Sequence, residues 1–309
     1  MKTGDLTLEN NDYMSGGLVM CGCHKIGADL VPSLIAAGIK FAHFVCLTPE
    51  QGVKYKVSAY VDLRPLAIEH NIPYYIPETY SLTSINDSAF FARNKFDLLI
   101  QGGWQRLFPD DVLRTLCVGA VGVHGSADFL PKGRGRSPLN WSIIEGKNRF
   151  IAHLFLMRSG VDDGDVFDYS DFDINLYDTI ETLYLKLAIV TRTMLMVNIP
   201  KLLSGDIAFL PQVGIPSYYN KRCREDGRIN WQEMDVTLIA SLIRALSKPY
   251  PGAIAIIESR EIVIWSAQIF DTRITYHGTD YGEVVERFDG CFVVNCCGGL
   301  LLVTNYEYV

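Results

Sequence analysis

A histidine that leaves an apolar strand directly into a loop of glycine, proline and arginine is the most chemically loaded feature of this sequence. The stretch Val123-His124-Gly125-Ser126-Ala127-Asp128-Phe129 continues through Leu130-Pro131-Lys132-Gly133-Arg134-Gly135-Arg136 to Ser137-Pro138-Leu139-Asn140-Trp141. An imidazole at a strand end suits proton transfer near neutral pH. Ser137-Pro138 has the residue types of a helix start, an N-cap followed by proline at the first helical position, and Gly146 can end that helix. Arg134 and Arg136 beside such an N-terminus make an anion-binding arrangement. A second stretch, Ser159-Gly160-Val161-Asp162-Asp163-Gly164-Asp165, brings three carboxylates together. Its spacing is not that of an EF-hand loop, which leaves a solvated acidic turn or a carboxylate folded back to orient His124. Cys21-Gly22-Cys23-His24 and Cys296-Cys297 lack a C-x-x-C spacing and sit in or beside apolar runs, so they read as buried free thiols.

The elements that must position these residues alternate. Strand patterns fall at 17–21, 41–47, 73–76, 96–100 and 120–124, separated by helical patterns near 24–37, 63–70, 84–95 and 109–116. Alternation at this pitch predicts parallel βαβ units and an open α/β sheet. Ligands of such sheets bind beyond the C-terminal ends of the strands, where His24, Gln101 and His124 fall. The first turn, Gly22 to Gly27, lacks the G-x-G-x-x-G fingerprint, which argues against a dinucleotide enzyme. Two more apolar runs (150–157 and 165–169) precede a long helix at 179–203. Residues 204–228 read as a linker. Beyond it come a helix at 235–246, a Pro-Tyr-Pro-Gly turn and β patterns at 253–257, 262–269, 291–295 and 300–304.

The 309 residues are 49% hydrophobic and 20% charged, which fits two folded domains and excludes a disordered or collagen-like chain. Net charge is −7, the wrong sign for a chain built to grip nucleic acid. The first 15 residues are polar and acidic, without the basic start and apolar run of a signal peptide. The apolar stretch 183–203 is interrupted by Lys186, Arg192 and Lys201, against the run of about 20 nearly uncharged residues that a spanning helix needs. Eight cysteines without an export signal fit a reducing cytoplasm, the expected location.

The segment H-G-S…L-P-x-x-R-G-x-x-P-x-N-W followed by G-x-D-x-G-D resembles the folate-dependent formyltransferases of the methionyl-tRNA and nucleotide-sugar type. Residues 96–116 (FDLLIQGGWQRLFPDDVLRTL) are similar to their strand, glycine turn and following helix. Tyr219-Asn220-Lys221-Arg222, Glu225 to Trp231, Leu242 to Leu246 and Tyr250 to Ala253 are similar to the opening of their C-terminal domain. The resemblance implies a Rossmann-like α/β formyltransferase domain at 1–204, with an open, mostly parallel sheet, and a smaller β-rich, OB-like domain at 205–309. It implies formyl transfer from N10-formyltetrahydrofolate, a cosubstrate, to a primary amine, with no metal. Carried over, His124 and Asp162 are catalytic. Gln101, Gly102, Gly103, Trp104, Leu130, Pro131, Arg134 and Asp162 hold the folate, while Ser126, Arg136 and Asn140 face the acceptor. One departure stands out: Gly122 occupies the position of the family's catalytic asparagine, and with it goes an oxyanion donor whose kind is worth about 2.7–4 kcal/mol. Another is the stretch 150–153 (FIAH), where His153 reads as an outward strand residue.

Charge separates the acceptors the resemblance allows. Residues 205–309 hold nine Lys and Arg against thirteen Asp and Glu. A domain that grips tRNA should be basic, whereas a nucleotide-sugar needs only a few arginines. The expected acceptor is therefore the amino group of a nucleotide-linked sugar. Methionyl-tRNA, an amino-acid amine, a water acceptor and a non-catalytic ligand-binding member are the alternatives, along with a metal-dependent hydrolase built on His24, His124 and Asp162. The apolar stretch Cys291 to Val303 has two readings, a homodimer interface or, ahead of it, buried core.

Overall fold

A computed structural model describes residues 16–57 and 59–309; the polar, acidic start of the chain lies outside them. The strands are β1 (Leu18–Gly22), β2 (Phe41–Val45), β3 (Tyr74–Tyr75), β4 (Leu98–Gly102), β5 (Gly119–Ser126), β6 (Arg134–Gly135), β7 (Arg149–Leu156) and β8 (Val166–Asp173), then β9 (Tyr218–Tyr219), β10 (Ala253–Ile257), β11 (Arg260–Asp271), β12 (Val284–Phe288), β13 (Cys291–Cys296) and β14 (Gly299–Tyr308). The helices are α1 (Lys25–Ala36), α2 (Pro49–Lys54), α3 (Arg64–Glu69), α4 (Ile85–Asn94), α5 (Asp110–Leu113), α6 (Pro138–Ile144), α7 (Ile180–Ser204) and α8 (Val236–Leu246).

Seven strands form one sheet in the order β3-β2-β1-β4-β5-β7-β8. The first five are parallel. β7 turns antiparallel to β5, with the Met157 N–H donating to the Ala120 carbonyl at 2.7 Å and Gly125 lying against Ile151 and Ala152. The chain builds outward from β1 to β3 and then returns to β4 on the other side. The strand order therefore reverses between β1 and β4, and the crevice at that reversal is the natural ligand site of an open α/β sheet.

By contacts the chain divides into two compact units, each assembled from three segments. One takes the described part of Met1–His124 with His153–Ser170 and Ala188–Val213. Its core joins Val19, Cys21, Val45, Phe90, Phe91, Phe96, Leu99 and Trp104, all nearly or fully buried. Asp87 ties β3, the 77–83 loop and α4 together here. The other unit holds Gly125–Ala152, Asp171–Leu187 and Gly214–Val309. There α8, capped by the Asp235 carboxylate accepting from the Leu238 N–H at 2.8 Å, lays Ile239, Leu242, Ile243 and Leu246 on a five-stranded antiparallel sheet, β10-β11-β14-β13-β12.

The expected architecture of a mostly parallel α/β sheet plus a smaller β-rich C-terminal region is what the chain adopts. α2 and β12 are additions to it. α2 carries a capping box, Thr48 with Gln51, and β12 is a mostly exposed edge strand without a strong apolar signal. Ser137 does not cap α6 through its side chain as expected; it sits at φ +52° and makes no capping bond. Among the described residues no helix is long and apolar enough to cross a membrane. No group of three or more His, Cys, Asp or Glu among them is arranged to hold a metal ion.

Candidate active site

At the reversal between β1 and β4, backbone meets backbone. A Cβ on Gly27 would lie 2.4 Å from the Gly102 carbonyl oxygen, so the first turn of α1 packs on the end of β4 only because residue 27 has no side chain. Gly103 has φ +79°, and a Cβ there would meet the His24 Cβ at 2.4 Å. His24 caps α1, its Nδ1 accepting the Ile26 N–H at 3.1 Å. With Nδ1 accepting, the neutral ring carries its proton on Nε2. Burial lowers the His24 pKa below the ordinary histidine value, and Asp29 opposes this only in part. Because the unfolded chain binds that proton more readily, stability is lost as pH falls from the unfolded value of about 6.5 toward the folded one. His24→Asn keeps a capping acceptor and removes the titration. Its thermal unfolding midpoint is expected to fall less between pH 7 and 5 than that of the wild type, as read by circular dichroism.

Gln101 donates from Nε2 to the Trp104 carbonyl at 2.8 Å, fixing the turn that follows β4. Trp104 itself is only 2% exposed, edge-on to Tyr80 at 4.8 Å and stacked on Phe108 at 6.4 Å. Its ring packs in the core, one of the two uses open to a tryptophan in a strand-end turn, and its buried Nε1 has no partner. Gly102 and Gly103 bring only backbone to the crevice.

His124 lies near the C-terminal end of β5, and its Nδ1 is 3.4 Å from the Asp162 Oδ2. The two side chains are 8% and 19% exposed. Asp162 sits in the turn between β7 and β8 at φ +49°, an uncommon conformation for a residue with a side chain. Gly164 explains the sequence of that turn: a Cβ there would fall 1.6 Å from the Leu156 carbonyl oxygen. The acidic stretch is therefore a device that brings one carboxylate back to the histidine. A carboxylate on one imidazole nitrogen fixes ring orientation and leaves the other nitrogen for proton transfer.

Two residues before His124, the missing side chain has a physical counterpart. A Cβ on Gly122 would lie 2.7 Å from Phe155 Cζ and 2.9 Å from Met157 Cγ. The space is filled from β7, so an amide at 122 has no seat. Gly122→Asn is expected to destabilise the protein by about 1–3 kcal/mol through overpacking. Adding Phe155→Ala to it should recover part of that loss in urea titrations. Phe155 and Met157 carry no signal in the sequence beyond being apolar strand residues. His153, expected to face outward, is 1% exposed and lies 6.2 Å from the Tyr169 ring, because β7 is an interior strand.

The loop after β5 is organised within the second unit. The Ser126 hydroxyl, 1% exposed, lies 2.7 and 2.9 Å from the Asp128 and Lys132 carbonyls, to which its single proton can donate, and accepts the Asp128 N–H at 3.2 Å. Asn140, fully buried, donates from Nδ2 to the Ala245 carbonyl at 2.7 Å and fastens α6 to α8. Both, placed at the acceptor by the resemblance, hold backbone in this structure. Leu130 is buried, and its peptide bond to Pro131 is cis. Arg134, 9% exposed, pairs through its backbone with Ser217 and donates from Nη1 to the Tyr218 hydroxyl at 3.3 Å. Arg136 keeps its guanidinium exposed while its N–H donates to the Tyr219 carbonyl at 3.0 Å. Nearby, Trp141 stacks on Tyr219 at 5.5 Å, and the Arg222 guanidinium lies over the Trp141 ring at 4.9 Å.

The structure thus holds a histidine against a carboxylate at the C-terminal edge of an open α/β sheet, an arrangement chemically suited to moving a proton. Residues 81–199 match the formyl transferase family, and residues 223–308 match the formyl transferase C-terminal domain. The chain belongs to the formyl transferase family. It is 28% identical over 253 residues to the bifunctional polymyxin resistance protein ArnA of Wigglesworthia glossinidia brevipalpis, covering 82% of this chain but only 38% of that protein. It is 27% identical over 288 residues to the methionyl-tRNA formyltransferase of Enterococcus faecalis, covering 92% of this chain and 88% of that one. Among solved structures, the N-formyltransferase of Helicobacter canadensis in complex with folinic acid and dTDP-3-aminofucose superposes with a TM-score of 0.66 at 17% identity, over 94% of this chain and all of that one. HypX of Aquifex aeolicus in complex with tetrahydrofolic acid gives 0.63 at 18% identity, over 95% of this chain and 44% of that one. At these identities the structural likeness concerns the fold.

Proposed function

We propose that this chain transfers the formyl group of N10-formyltetrahydrofolate to the primary amine of a nucleotide-linked amino sugar. The observation that carries this reading is the His124–Asp162 couple, 3.4 Å apart, at the C-terminal edge of the sheet of a formyl transferase family member. The neutral amine attacks the formyl carbon and forms the new C–N bond. His124 takes the proton the amine releases and returns it to N10 as the C–N10 bond breaks, giving the formamide and tetrahydrofolate. Asp162 fixes the ring and balances the charge of the imidazolium that forms. With Gly122 walled by Phe155 and Met157, the oxyanion is met by a donor other than a side chain at 122, and backbone N–H groups are the candidates at hand. The crevice between β1 and β4, bordered by Gln101 to Gly103, is the part of the sheet suited to the folate. In this reading residues 1–204 carry the folate and the transfer, and 205–309 form the C-terminal domain.

Two observations favour a sugar acceptor. Residues 205–309 are net acidic, and the Helicobacter canadensis relative is in complex with dTDP-3-aminofucose. The second reading is methionyl-tRNA, favoured by the Enterococcus faecalis relative that covers most of both chains. The deciding experiment offers N10-formyltetrahydrofolate with a panel of dTDP- and UDP-amino sugars or with methionyl-tRNA, following tetrahydrofolate release. Turnover with a nucleotide-sugar alone supports the proposal. Turnover with tRNA alone overturns it in favour of the second reading, and folate binding without turnover on any amine points to a non-catalytic member.

A further inference from the structure

The turn that carries Asp162 is closed at its base by the Leu156 N–H donating to the Asp165 carbonyl at 3.0 Å and by Arg158 with Asp165 at 2.7 Å, but its tip is held by other contacts. Asp162 has a positive φ, and neither it nor Asp163 belongs to a helix or strand. A residue in that region persists only where its surroundings over-determine it. One constraint is Gly164, pressed against the Leu156 carbonyl. The other comes from the exposed segment after α7. There the Gln212 side-chain amide donates both of its N–H groups, to the Asp162 carbonyl and to the Gly164 carbonyl, each at 2.8 Å. Gln212 is itself anchored. Two residues earlier Leu210 exchanges two backbone hydrogen bonds with Val166, the first residue of β8, at 2.7 and 2.9 Å. The two carbonyls flank Asp163, so a single side chain spans the residues that decide where the Asp162 carboxylate points.

We infer that Gln212 is a positioning residue for the reaction. It holds the backbone of the turn so that Asp162 meets His124, and it acts through Asp162. This rests on the reading of His124 and Asp162 as the catalytic couple. Its consequence is that the catalytic carboxylate depends on the segment leaving α7, two residues before Gly214, whose φ is +118°. A carboxylate misplaced by about 1 Å can cost on the order of 100-fold in rate.

Gln212→Met keeps the length of the side chain and removes both donors. With N10-formyltetrahydrofolate and the accepted amine, its kcat is expected to fall about 10- to 100-fold, with the KM for the folate within about threefold of wild type. Gln212→Lys, whose ammonium can donate to both carbonyls, should recover part of the loss. The decisive comparison is made in an Asp162→Ala background, which leaves no side chain at 162 to be positioned against His124. There Gln212→Met should change kcat less than about twofold, because the carboxylate it positions is gone. An equal loss in both backgrounds, or no loss in the Asp162 enzyme, overturns the inference while leaving the catalytic couple intact. If the wild type turns over no amine, the reading of the site fails first, and the clamp is read from the imidazole signals of His124 by NMR. Gln212→Met must then move them while leaving those of exposed His277 in place; unmoved signals overturn it.

Discussion

Replacing His124 by alanine is expected to lower the kcat for formyl transfer by about 10²–10⁴-fold, the usual contribution of a positioned acid–base group. The fold should survive, and thermal unfolding will check this. Asp162→Asn should act in the same direction but less severely. The amide keeps the shape of the carboxylate without its charge, so the imidazolium formed during transfer loses its counter-ion while the ring keeps a neighbour. The double variant should be little worse than His124→Ala alone, because a group that orients a histidine has nothing to do once the histidine is gone. Additive losses would mean that Asp162 serves the reaction independently of His124. Unchanged turnover in His124→Ala would remove the histidine from the mechanism altogether.

The second large effect concerns folding. Asp87 is fully buried at the start of α4, with its N–H donating to the Ser84 hydroxyl at 2.9 Å. Its carboxylate accepts from the Tyr75 hydroxyl, the Glu78 N–H, and the Thr79 N–H and hydroxyl, at 2.9–3.1 Å. Burial alone would push this carboxyl up; the donors from Glu78, Thr79, Ser84 and Tyr75 outweigh it, and the net shift is downward. Asp87→Ala leaves four donors at a partly buried site without their acceptor and should cost on the order of 1–3 kcal/mol, a sizeable share of a total stability of roughly 5–15 kcal/mol. Asp87→Asn should fare little better, since half of its amide presents donors to donors. A carboxyl with a lowered folded pKa contributes stability above its unfolded pKa, and that stability is lost as pH falls through the folded value. The gap between wild type and Asp87→Asn in urea titrations should therefore narrow as pH is taken from 7 toward 3. A gap independent of pH would show that the charge is not what the site needs.

How far the sequence reaches can be judged residue by residue. The alternating patterns that predict a mostly parallel sheet are local, and β1, β2, β4 and β5 form close to their expected positions. His124 was legible because a histidine between an apolar strand and a glycine-rich loop has few purely structural uses. Asp162 was legible only as one of three neighbouring carboxylates until the family resemblance singled it out. The backbone bonds of Ser126 and Asn140 could not be read from sequence for one reason: a polar residue in a loop looks available until its partner is known. The partner of Asn140, the Ala245 carbonyl, is 105 positions away. His153 misled in a related manner, since burial depends on what covers a strand from elsewhere in the chain.

By itself, then, the sequence determined the alternation of strands and helices, the acidic C-terminal region, and the histidine and carboxylate stretches that announce acid–base chemistry. These are properties of residue type and short-range spacing. Only the tertiary structure decided which carboxylate reaches His124, that Phe155 and Met157 close the space beside Gly122, and that Gln212 clamps the turn bearing Asp162. Each of these is a contact between segments remote in sequence. Hydrogen-bond geometry and close packing act over a few ångströms of space, and no local pattern of residues encodes which distant atoms will arrive there.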